Sequence, residues 1–320
     1  MNDRRQFLKA TGATAIGAAT TCWTATQAHA RSGGRKFTLD LRCGSIGVKA
    51  SQAESIELAK RFGFESVSPL PHELAKLDSS QLSQLLGQMS ADNIRWGAAG
   101  LPVEFRKDEA RFQADLKALP GLAKALQAAG APRVGTYIMP CHDTLTYKQN
   151  FDQHANRLRD CAKILADHGL RLGLEYVGPK TLWTSRRYPF LHSMAETKDL
   201  ISEIGQTNVG FVLDSWHWYT AHETLQDLLT LTNADVVACD LNDAPLGLEI
   251  DQQIDNRREL PAATGVIDVK AFLGALVTIG YDGPVRAEPF NQPLNQMGDE
   301  AAVQATVKAM KKAFALIDVA

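Results

Sequence analysis

From residue 37 onward the apolar pattern alternates eight times between a short strand-like run and a longer helical one, and that repeat restricts the fold more than any single motif. The strand-like runs fall at residues 37–42, 66–68, 94–98, 134–138, 172–175, 210–214, 236–240 and 284–288. Between them lie segments of helical period. Ser51-Gln52-Ala53-Glu54 offers a capping box for a helix with Ile56, Leu58, Ala59 and Phe62 on its apolar face, stopped by Gly63. Further helices are expected over 79–91, 108–129, 150–168, 194–204 and 222–232, then one capped by Asp268, then one over 300–317. Pro120 is expected to split or kink the helix over 108–129. Eight such units predict a single-domain α/β fold, the (β/α)8 TIM barrel of ~250 residues. A doubly wound sheet would carry a G-x-G-x-x-G loop after its first strand, and Cys43-Gly44-Ser45-Ile46-Gly47 lacks that spacing.

Four of the runs end in an acid: Leu172-Gly173-Leu174-Glu175, Gly210-Phe211-Val212-Leu213-Asp214, Val236-Val237-Ala238-Cys239-Asp240 and Pro284-Val285-Arg286-Ala287-Glu288. In a parallel barrel these ends share one face. Converging carboxylates repel one another unless a cation or shared protons compensate, so the pattern points to a divalent metal held by oxygen ligands. One acid at a strand end is an ordinary cap or loop anchor; four at successive ends are poorly explained that way. The loops over 176–193 and 241–267 belong to the same face. The second carries Asp255-Asn256-Arg257-Arg258-Glu259-Leu260-Pro261, charged and turn-rich enough to close over a substrate.

Residues 1–30 read as a targeting segment and 31–320 as the barrel. Arg4-Arg5, a small-residue stretch and Ala28-His29-Ala30 occur in the order of a twin-arginine signal peptide with its cleavage site. That predicts engagement of the twin-arginine export machinery and a periplasmic location. The stretch falls short of the ~20 strongly apolar residues of a membrane span, so no stable membrane insertion is expected. A formal charge of −2 without a basic stripe argues against a nucleic-acid partner. Cys43, Cys141, Cys161 and Cys239 show no C-x-x-C spacing and read as buried free thiols.

The series Leu174-Glu175-Tyr176, Leu213-Asp214-Ser215-Trp216-His217, Asp240-Leu241-Asn242-Asp243, Arg258-Glu259-Leu260-Pro261 and Ala287-Glu288-Pro289 resembles the sugar isomerase/epimerase group with xylose-isomerase-like barrels. The resemblance implies that Glu175, Asp214, Asp240 and Glu288 bind one divalent metal. Glu175 and Glu288 would also be the acid/base pair, moving a proton through an enediolate. It further matches His217 to a substrate-contacting histidine and Arg258 to an arginine that holds a substrate oxygen. The implied activity is isomerisation or epimerisation of a free sugar or keto-sugar, with a lyase or dehydratase as the alternative on the same site.

Two departures stand out. Family members usually place an imidazole, or an amide, where this chain has Asp240. An all-carboxylate set favours Mn²⁺ or Mg²⁺, with Co²⁺, Ca²⁺ or Zn²⁺ as further candidates, and otherwise His217 would complete the site. Ketose 3-epimerases also carry a second glutamate shortly after the fifth-strand ligand, and Tyr176-Val177-Gly178-Pro179-Lys180-Thr181 has none. Arg257, His142, Trp183 and His192 lie on segments of the same face and are further substrate-binding candidates, and the chain is compatible with a homo-oligomer. An endonuclease IV-like phosphodiesterase would need a histidine-rich multi-zinc cluster and a basic surface, neither of which is evident. A non-catalytic sugar-binding protein would keep the pocket without turnover.

Overall fold

The computed structural model describes residues 34–318; the export signal expected over 1–30 lies outside the described residues. The strands are β1 (Thr38–Leu41), β2 (Ser66–Val67), β3 (Arg95–Trp96), β4 (Ala99–Gly100), β5 (Arg133–Tyr137), β6 (Cys141–His142), β7 (Arg171–Glu175), β8 (Tyr188–Pro189), β9 (Val209–Asp214), β10 (Val236–Leu241) and β11 (Pro284–Ala287). Nine of them form one parallel sheet in the order β3-β2-β1-β11-β10-β9-β7-β5-β4. Only Gly97 and Ala98 separate β3 from β4. The two are halves of one strand, the first paired with β2 and the second with β5, so the sheet closes as a TIM barrel.

Alternation along the strands sorts side chains between the helices and the lumen. Leu172, Leu174, Phe211, Leu213, Cys239, Leu241 and Val285 are buried in the main apolar cluster. Ala98, Val212 and Ala238 make a small separate one, consistent with a narrow lumen. Gly173 is required there: a Cβ on it would stand 2.8 Å from Val212 Cγ2 and 2.9 Å from Val237 Cβ. At the opposite end from the acids, Arg133 donates to the carbonyls of Val236 and Val237 and pairs with Asp282 at 2.7 Å.

The helices follow the expected order with two differences. Glu109–Ala129 is one element with Pro120 inside it, rather than split. Pro120 is exposed, so the ring and the missing N–H face solvent and the turn survives the lost hydrogen bond. The segment expected as a helix over 222–232 contains only the short helix Leu225–Leu228, preceded by Ser215–Thr220 directly after β9. Among the described residues no helix is long and apolar enough to cross a membrane, and Cys43, Cys141, Cys161 and Cys239 are buried and free.

Candidate active site

Strand register sets the site in two tiers. Asp240 on β10 is the direct partner of Asp214 on β9 and of Arg286 on β11, and Arg286 is in turn the partner of Asp40 on β1. Asp40, Arg286, Asp240 and Asp214 therefore occupy one level. Two residues further along the same strands come Arg42, Glu288 and Asn242, at the mouth, and the Glu175 carboxyl joins Glu288 there by side-chain proximity rather than by register.

In the lower tier every acid is compensated. Arg286 Nε donates to Asp240 Oδ1 at 2.5 Å and its terminal amine to Asp240 Oδ2 at 3.0 Å, a bidentate pair between two buried groups. Ser66 and Ser68 donate to Asp40 at 2.7 and 3.3 Å. Burial raises Asp40 to about 6 against the lowering effect of Arg286 and the serines. Asp214 Oδ1 caps the helix Ser215–Thr220 by accepting from the Trp216 N–H at 2.8 Å. Its Oδ2 accepts from Arg258 at 2.7 Å, and the Asn242 amide donates to both oxygens at 2.9 and 3.1 Å. Burial still pushes Asp214 up to about 7, with Arg258 opposing.

The upper tier differs. Glu175 Oε1 is buried and has no hydrogen-bond partner among the described residues. Burial, then the charges of Glu288, Asp240 and Asp214, push its carboxyl well above the ordinary range. Glu288 has only long contacts: Arg42 and Ser45 each approach Oε1 at 3.4 Å and Arg258 approaches Oε2 at 3.7 Å. Burial and Asp240 raise it, while Arg42, Arg258 and Arg286 hold it down.

His217 sits against both tiers, its Nε2 at 3.9 Å from Glu175 Oε1 and 3.8 Å from Asp214 Oδ2. The Gly178 N–H donates to Nδ1 at 3.2 Å and an Arg258 terminal amine stands 3.2 Å from Nε2, so each ring nitrogen faces a donor. Burial and then Arg258 keep the imidazole well below its usual pKa, so it is neutral. Burial alone would lower Arg258, but Asp214, Asp255 and Glu288 raise it above the ordinary value, and it is a permanent cation.

These groups surround a cavity of about 560 Å³ lined by Arg42, Glu175, His217, Arg258, Arg286 and Glu288, with Tyr137 and Phe290 among its aromatic surfaces. The structure brings together Glu175, Asp214, Asp240, Glu288, His217 and Arg258. Other candidates stand apart. Arg257 lines an adjoining cavity. His142 lies on β6, paired with β8 in a separate ribbon, and its Nδ1 accepts from the N–H groups of Thr144 and Leu145. Trp183 stacks on His192 at 4.6 Å, and neither lines the cavity. Arg42, Ser45, Asn242 and Arg286 were not singled out as site residues from sequence. Arg286 had a visible signal: a cation inside an apolar strand, two residues before Glu288 and thus on its face.

Oxygen or nitrogen atoms of Glu175, Asp214 and His217, and of Glu175, Asp240 and Glu288, lie within 4.8 Å of one another. With an unpartnered carboxylate oxygen pointing into this cluster, the donor set fits a divalent cation. The guanidinium on Asp240 leaves one lone pair free on each of its oxygens, whereas Asp214 already accepts two hydrogen bonds on each oxygen and would join the ion only by giving one of them up.

A closed parallel barrel with an acidic, partly uncompensated mouth on its C-terminal face defines a TIM-barrel enzyme. The chain belongs to the xylose isomerase-like TIM barrel family, whose profile matches residues 56–313. A xylose isomerase domain protein from Alicyclobacillus acidocaldarius has a similar structure, with a TM-score of 0.75 and 32% identity over 88% of this chain and 98% of that one. The inosose isomerase of Halalkalibacterium halodurans is 22% identical over 66% of this chain and 73% of its own length. The IOLI protein, solved with a bound zinc atom, shares the fold at a TM-score of 0.70 and 20% identity, over 87% of this chain and 98% of that one.

Proposed function

We propose that the chain is an exported, metal-dependent isomerase or epimerase of a free sugar or keto-sugar. It is an enzyme of the sugar isomerase, epimerase or lyase class, and the observation that carries the finer reading is the split within its acids. Asp214 and Asp240 are tied to guanidiniums at hydrogen-bond distance, whereas Glu175 faces the cavity with an unpartnered oxygen and Glu288 meets its arginines only at 3.4 Å or longer. Groups in this state are suited to exchanging protons.

Glu288, held down by three arginines, takes the proton from a carbon next to a carbonyl. Glu175, pushed further up, returns one from the other side. Arg258 and His217, both on the cavity wall, orient the substrate oxygens. Glu175 and Glu288, with the remaining lone pairs of Asp240 and with Asp214 where it gives up a hydrogen bond, would hold the ion, and oxygen donors favour Mn²⁺ or Mg²⁺. Bound there, the ion supplies Lewis-acid stabilisation of the oxyanion that forms as the proton leaves.

The periplasmic location belongs to the same proposal, carried by the Arg4-Arg5 signal and tested by cell fractionation. The chemistry is tested by incubating a panel of aldoses, ketoses and 3-keto-sugars in D₂O with Mn²⁺ or Mg²⁺. Deuterium is expected to enter one carbon of at least one substrate. Binding across the panel with neither exchange nor product would leave a sugar-binding protein instead.

A further inference from the structure

The cavity over Glu175 and Glu288 does not end at its own wall. A second cavity of about 890 Å³ shares Arg258 and Phe290 with it, and Asn256, Arg257, Gln292 and Asn295 are among its lining residues. Each cavity alone is within the ~300–1,000 Å³ of a small-molecule site. Phe290 is thus on the wall of both. Its φ of +40° is in a region that a bulky L-residue rarely adopts, and the residue is 39% exposed although the Arg258 guanidinium stacks 4.6 Å from the ring centroid. Backbone held in such a conformation clusters at ligand clamps. Beyond the ring, Asn256, Gln292 and Asn295 bring side-chain amides, and Arg257 a guanidinium, to the wall of the second cavity.

We propose that the substrate extends past a single ring, with a second sugar or comparable polyhydroxylated group, joined by a glycosidic bond, seated on Phe290 in the second cavity. Three features match that group. An exposed aromatic face suits the C–H face of a pyranose. Amides both donate and accept, as a row of hydroxyls requires. The shared wall places the second group beside Arg258, in continuity with the reacting ring. Arg257 then contacts the distal group while Arg258 serves the reacting one, which gives the two adjacent arginines different tasks.

This inference rests on the sugar reading above, and its test separates the two. The intact protein with its divalent ion is titrated calorimetrically with glucose, fructose, maltose, cellobiose and sucrose, and with the 3-keto forms of the disaccharides and of glucose. At least one disaccharide is expected to bind about tenfold more tightly than either component monosaccharide. Phe290→Ala and the surface change Gln292→Ala are each expected to cut that ratio to below about threefold. Because the ratio is read within one variant, a general loss of folded protein does not imitate the effect. Equal affinities for one ring and two in the unaltered protein, or a ratio unmoved by both substitutions, would overturn the second subsite and leave the single-ring reading standing. No binding by any sugar would defeat the sugar reading itself.

Discussion

The two tiers of the barrel mouth contain the same chemical group, a carboxylate, in opposite states. Asp214 and Asp240 are buried and each meets a guanidinium at hydrogen-bond distance, whereas Glu175 has an unpartnered oxygen and Glu288 has only contacts of 3.4 Å or longer. The lower pair has its charge answered within the protein, although burial still raises Asp214 to about 7. The upper pair is costly to the fold and available to a ligand. Burial alone does not distinguish the two; the neighbours do.

Substitutions on either side should therefore fail differently. Glu175→Gln and Glu288→Gln are each expected to lower proton-exchange activity by about 10²–10⁴-fold while the protein stays folded, as read by deuterium exchange and circular dichroism. In the lower tier, Arg286→Met strands Asp240 and Arg258→Met strands Asp214. Each is expected to cost about 3–5 kcal/mol of stability in denaturant unfolding, because one buried charge is left behind. If Arg286→Met left stability unchanged, the contrast between tiers would be lost.

A smaller effect concerns pH in metal-free protein. Asp214 is raised from 3.8 to about 7, and Glu175 and Glu288 are raised above 4.5. The native state thus holds these protons more tightly than the unfolded chain, so stability is greatest below the unfolded values and falls as pH rises toward about 7. Thermal melts in EDTA should show that decline, and Glu175→Gln should weaken it and raise Tm at neutral pH by roughly 2–4 °C. Smallest of all, His142→Ala should change activity by less than about twofold, since surface changes away from such features are usually minor.

The barrel was legible because a two-residue period marks strands and a longer one marks helices, and the acids were legible because they end those strands. What resisted reading was long-range. Nothing local shows that loop residues 188–189 pair with 141–142, which draws His142 into a ribbon apart from the cavity. Asp243, beside the acids in sequence, instead staples its own loop by accepting from the N–H groups of Ala244, Thr264, Gly265 and Ile267. The Asp240–Arg286 pair depends on the register of β10 against β11, which cannot be derived from either strand alone.

The most direct test is a carboxyl-¹³C NMR titration of metal-free protein labelled at glutamate, with Glu175→Gln to assign the resonance. Glu175 should titrate well above the ~4.3 of a free glutamate and move down when Mg²⁺ is added. A Glu175 midpoint at or below that ordinary value, unmoved by Mg²⁺, would contradict the claim that the upper tier carries the uncompensated charge.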